Sequence, residues 1–136
     1  MIAVFPVLMA AAVVAAPMRL DVKDARVAAT DAGGSVALSA LVYNPSPETV
    51  TLVGASTPMA GQTVLQRYVQ DKQGLVQLQT IDRLPLPAKS ETLLAPGALE
   101  LQLVGVTQTL QSGLELPLTL KFDDGTVRVF RIKVQD

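Results

Sequence analysis

Few residues of this chain could do chemistry, and the most suggestive pair is Glu100 and Gln102. They stand one residue apart, which in an extended strand puts a carboxylate and an amide side by side on one face. Leu99, Leu101 and Leu103 alternate with them, the period of a half-buried strand. Glu100 and Gln102 are therefore expected on the outer face, just past the turn at Pro96-Gly97. Such oxygen donors are hard ligands, poor for a soft ion and thin, at this number, for any other. Asp123 and Asp124 form a second carboxylate pair, but Gly125 beside them signals a tight type I′ hairpin turn. That turn explains both residues as ordinary solvated carboxylates. Arg128, Arg131 and Lys133 make the last strand mildly basic, as expected of a solvated or edge strand guarded by charge.

What the chain lacks narrows the choice further. Its 136 residues suffice for one domain. There is no His, the commonest general base and transition-metal ligand, and no Cys, so no disulfide, thiolate nucleophile or thiolate metal site. Eleven basic against twelve acidic residues leave a net charge of -1, and no long-range attraction to nucleic acid or an anionic membrane surface. No nucleophile has a visible base partner, so an enzyme is not expected.

The elements that must position these residues read as β throughout. Strands are expected over 20–27, 35–43, 49–55, 63–69, 75–81, 91–94, 99–106, 115–122 and 126–134, separated by Gly, Pro, Asn and Asp turns. The runs at 63–69 and 75–81 form a hairpin about Asp71-Lys72-Gln73-Gly74. Residues 84–87, Leu-Pro-Leu-Pro, are extended but cannot be a central strand. Residues 108–113 are a polar connection with room for one helical turn. In 126–134 the apolar phase slips from Val127 and Val129 to Phe130, Ile132 and Val134, which predicts a β-bulge near Val129. Eight or nine short strands argue for an all-β sandwich or small barrel.

Residues 1–18 carry no charged side chain, and their apolar run is short for a membrane span. They fit a secretory signal peptide over 1–15, cut after Ala15, although the basic n-region is missing. Without a Cys at the cut, no lipid anchor is expected there. The expected organisation is a leader over 1–15 and one domain over 19–136, periplasmic or secreted, with no stable membrane span after cleavage.

From about residue 36 to 134 the sequence resembles the periplasmic copper chaperones of the PCu(A)C family. The resemblance is carried by Tyr43-Asn44, by Leu52-Val53-Gly54-Ala55-Ser56-Thr57-Pro58-Met59-Ala60-Gly61 and by Gly74-Leu75-Val76-Gln77-Leu78. Leu94-Ala95-Pro96-Gly97 and Leu116-Pro117-Leu118-Thr119-Leu120-Lys121-Phe122-Asp123-Asp124-Gly125 continue it in the family's order. It implies a cupredoxin-like Greek-key β-sandwich. It also implies a copper site of His, ten residues, Met, twenty-one residues, then His-x-Met, soft donors suited to Cu(I). Carried onto this chain, the first His falls on Gln66 and the first Met on Leu78, with one extra residue in the intervening turn. The second His falls on Glu100 and the second Met on Gln102. The spacing survives and none of the four ligands does.

The expectation is therefore an exported PCu(A)C-like domain with a degenerate copper site and no cofactor. Copper enters only if the family function persists. Its role would be binding or accessory, through a protein partner in the cell envelope, in copper or oxidase assembly. Two other readings stand beside it: copper binding through atypical ligands such as Gln66 and Glu100, and a structural or adhesion-type sandwich unrelated to copper. Met59, remote from these positions in sequence, is expected to fill a packing gap.

Overall fold

The structure, a computed structural model, describes residues 20–135. Ten strands account for most of them: β1 (Asp21–Ala28), β2 (Val36–Asn44), β3 (Val50–Ser56), β4 (Ala60–Gln70), β5 (Val76–Thr80), β6 (Leu84–Leu86), β7 (Ser90–Leu94), β8 (Leu99–Val106), β9 (Glu115–Phe122) and β10 (Val127–Gln135). Hydrogen bonding runs in the order β5-β4-β8-β7-β2-β1-β10-β9-β3-β6, with β8 also pairing β2. All pairings are antiparallel except β1 with β10 and β7 with β8. The ladder does not close into a barrel. It folds over, so that β3 approaches β4 and β6 approaches β7.

The inner faces of the two halves meet in one core. Leu38, Leu94 and Leu101 from one half and Leu52, Leu118, Leu120 and Ile132 from the other surround a small cavity of about 20 Å³. Its lining is wholly apolar, so it offers water no hydrogen-bond partner. Burial follows the period-2 pattern of the sequence. In β9, Leu116, Leu118, Leu120 and Phe122 are buried; in β2, Leu38, Ala40 and Val42 are. Met59 packs against this core.

Several local expectations are corrected. The bulge near Val129 is not there: β10 pairs β9 in unbroken register from Val127↔Lys121 to Lys133↔Glu115. Val127 and Val129 are simply outer-face residues, 51% and 59% exposed, and Arg128 covers the Phe130 ring at 5.4 Å on the other face. The irregularities lie instead in β1, between Lys23 and Arg26, and in β3, between Leu52 and Gly54. β10 is not an edge strand, since β1 and β9 flank it; Arg131 and Lys133 are exposed because they face outward. No helical turn forms at 108–113. Leu110, fully buried, exchanges backbone hydrogen bonds with Thr30 and plugs that end of the sandwich. The turn at Asp123-Asp124-Gly125 is a three-residue loop in which only Gly125 has positive φ (+89°), so the two-residue type I′ form is excluded. Side-chain and then backbone hydrogen bonding from Thr126 lowers the Asp124 carboxyl's pKa below its ordinary value, and Asp123 pairs with Arg83 at 3.0 Å.

The extended Leu84-Pro85-Leu86 segment is an edge strand, as its prolines require. Asn44, at the end of β2, is 1% exposed and fastens that edge to the fold. Its amide nitrogen donates to the carbonyls of Glu48, Leu86 and Pro87, and its Oδ1 accepts from Ser46 N–H. The expected leader over 1–15 and Met18 lie outside the described residues. Among the described residues no helix is long and apolar enough to cross a membrane.

Candidate functional site

β4, β5 and β8 position the four residues singled out by spacing. β8 enters from the Pro96-Gly97 turn, where Gly97 takes φ +90° and Ala95 N–H bonds the Leu99 carbonyl. In the β4–β8 ladder Gln66 lies opposite Glu100 and Val64 opposite Gln102. In the β4–β5 ladder Gln66 lies opposite Thr80 and Tyr68 opposite Leu78. Directly paired residues share a face, so Gln66, Leu78, Glu100 and Gln102 all sit on the face away from the core, with Leu78 diagonal to Gln66. The opposite face of the same strands carries Leu65, Leu101 and Leu103 into the core.

Glu100 is on the predicted face but is not on display: it is only 6% exposed. β8 is interior to the sheet, with β4 on one side and β7 and β2 on the other, so neighbouring strands shield its outer side chains. Tyr68 stands one pleat along β4 from Gln66, diagonal to Glu100 across the β4–β8 ladder. Hydrogen bonding to Glu100, then its negative charge, then burial hold the Tyr68 hydroxyl above its ordinary pKa. Gln66 and Gln102 are half-buried and Leu78 is 48% exposed. Gln102 Oε1 is buried and accepts no hydrogen bond from the described residues. Among the described residues no three of His, Cys, Asp or Glu converge.

Tyr68 is the site residue that spacing alone missed. It stands two residues beyond Gln66 in an extended strand, a position that dictates a shared face. Asp123 and Asp124 lie in the β9–β10 loop, on no strand of this face.

A family profile described as "Putative lipoprotein LpqE-like" matches residues 20–134. The chain belongs to the LpqE-like family. A curated relative, "Putative lipoprotein Lxx21020" of Leifsonia xyli subsp. xyli (strain CTCB07), is 28% identical over 95 residues to this LpqE-like chain. The match takes in 70% of the chain and 57% of that relative, so the chain spans little more than half its relative's length. The LpqE-like chain is an exported protein, periplasmic or secreted, in keeping with a family and a relative both named as lipoproteins. Among solved structures, it shares its fold with the copper-bound PCuAC domain from PmoF2, with a TM-score of 0.71 and 19% identity over 89% of this chain and 96% of that one. Apo-DR1885 from Deinococcus radiodurans superposes with a TM-score of 0.66 and 25% identity over 98% of this chain and 92% of that one. The LpqE-like chain thus carries a cupredoxin-like all-β fold of the PCuAC type.

Proposed function

We propose that this chain is an exported binding domain on the PCuAC fold that does not carry copper. Its role is accessory, exercised through a protein partner in the cell envelope during copper or oxidase assembly. The donor set supports this reading. Copper would be cargo here, and the residues at the mapped positions do not fit it. Gln66, Glu100 and Gln102 offer hard oxygen, Leu78 offers no donor, and Cu(I) prefers sulfur and imidazole nitrogen. The one carboxylate among them is buried, at 6% exposure. Among the described residues no nucleophile stands paired with a base, which supports a binding role over an enzymatic one. The domain is taken to run over 19–136, after a leader over 1–15.

The test is a Cu(I) titration of the protein against a competing chelator. Sub-micromolar uptake would overturn the proposal and favour atypical ligands. The variant Gln66→His, Leu78→Met, Glu100→His, Gln102→Met is expected to gain Cu(I) binding. A folded variant that stays blind to copper shows that the positional mapping is wrong.

A further inference from the structure

The sheet has two ends, and they are protected very differently. β6, at one end, is three residues long and centred on Pro85, two devices that blunt an edge against pairing. β5, at the other end, has neither. It is Val76-Gln77-Leu78-Gln79-Thr80, uncharged throughout and exposed at every position. Leu75 is 64%, Val76 63% and Leu78 48% exposed, beside Tyr68 at 42% and Val69 at 39%.

The phase of the β4–β5 ladder shows which backbone groups are free. Ile81 N–H bonds the Leu65 carbonyl, and Asp71 N–H bonds the Leu75 carbonyl. Alternation then makes Arg67/Gln79 and Val69/Gln77 the hydrogen-bonded pairs between them. The N–H and C=O groups of Val76, Leu78 and Thr80 therefore turn outward, along the free edge.

We propose that the chain self-associates through this edge, in an antiparallel two-fold pairing of β5 with β5 of a second copy, centred on Leu78. The sequence is self-complementary about that residue. Leu78 meets Leu78 of the second copy, Gln77 meets Gln79, and Val76 meets Thr80, which has nearly the same shape. In this register every outward N–H and C=O of the three residues finds its counterpart, and the contact is isologous, as closed dimers require. Side chains agree with the backbone. Tyr68 lies beside Leu78 in each copy, so the pairing builds a Tyr68-Leu78-Leu78-Tyr68 row across the dimer, a favourable cross-strand combination. Beyond the pairing, Asp82 of each copy comes to lie beside the β4–β5 turn of the other, where Asp71 and Lys72 carry opposite charges, so charge neither drives nor opposes the pairing. No like charges face each other within the paired segment. Leu78 is also one of the four positions on the candidate face, so the dimer would flank that face with a second copy.

The chain has no cysteine, which makes the test clean. Sedimentation of the full chain is expected to show a dimer that Leu78→Lys abolishes and Leu93→Lys leaves intact; Leu93, 55% exposed on β7, lies away from the edge. Under mild oxidation Leu78→Cys is expected to form a disulfide-linked dimer well ahead of Leu93→Cys, because Cα atoms facing across a hydrogen-bonded pair lie about 5.5 Å apart. A chain that stays monomeric up to its solubility limit would overturn the proposal. So would a dimer indifferent to Leu78→Lys, or equal cross-linking by the two cysteine variants.

Discussion

The Glu100 carboxylate is almost shut away from water, and its effect on the Tyr68 hydroxyl has a pH signature. Glu100 raises the Tyr68 pKa above its ordinary 10.0, because ionising the phenol would destroy the hydrogen bond and set two negative charges together. In a Tyr43→Phe background, absorbance titration is expected to place the remaining tyrosine's ionisation above 10.0, and Glu100→Gln to bring it back down. An unchanged titration would mean that the two groups do not interact. The linkage has a definite sign. The unfolded chain releases this proton near 10.0 and the folded chain only at higher pH, so the folded state binds more protons in between. The bond's contribution is therefore complete below 10.0 and is lost as pH rises through the folded value. How far this site was legible follows from the same two residues. Alternation puts Glu100 on the outer face, and it does so correctly. Alternation along β8 carries no information about Tyr68, which arrives from β4, so the burial of Glu100 was not readable from its own strand.

At the scale of the element, a buried amide does what charges on the surface do not. Asn44 closes the end of β2 by donating to carbonyls on the following turn and on both sides of the β6 terminus. Asn44→Leu would keep the volume and leave those carbonyls without their donor, at a cost of about 1–3 kcal/mol. Urea unfolding is expected to show this as a lower midpoint with an unchanged slope. Arg83→Ala, by contrast, removes an ion pair whose side chains are 60% and 43% exposed, and should cost less than about 1 kcal/mol, a smaller shift of the midpoint. If the two variants prove equal, the amide is not the fastening it is argued to be. Strands were the most legible elements here, because β9 and β2 follow period 2 without interruption. β10 misled because Val127 and Val129 face outward while looking apolar, so a regular strand imitated a bulged one. Which strands form edges was equally hidden. It depends on the sheet order, and β10 is placed inside by its parallel pairing with β1, a contact between opposite ends of the chain.

At the scale of the whole molecule, one core joins both halves of the sandwich, so unfolding should be a single event. Leu101 of β8 and Leu118 of β9 belong to consecutive strands that stand far apart in the sheet order, yet both line the central apolar cavity. Each is almost fully buried, at 1% and 3% exposure. Leu101→Ala and Leu118→Ala are each expected to cost about 2–5 kcal/mol, the lost transfer energy plus the cavity left behind. Because the two deletions enlarge the same space, their effects should not add. The double variant is expected to depart from the sum by more than about 0.5 kcal/mol, the margin within which independent sites add. Strand content by circular dichroism and tyrosine fluorescence should report one coincident transition in every variant. Tyr68 is set on β4, in the half of the sheet that holds β8, so an early fluorescence change in Leu118→Ala, ahead of strand loss, would show the halves parting separately. Additive costs with split transitions would make this two stacked sheets. A shared, non-additive loss makes it one folding unit, in which the face bearing Glu100 and the far strands β9 and β10 stand or fall together.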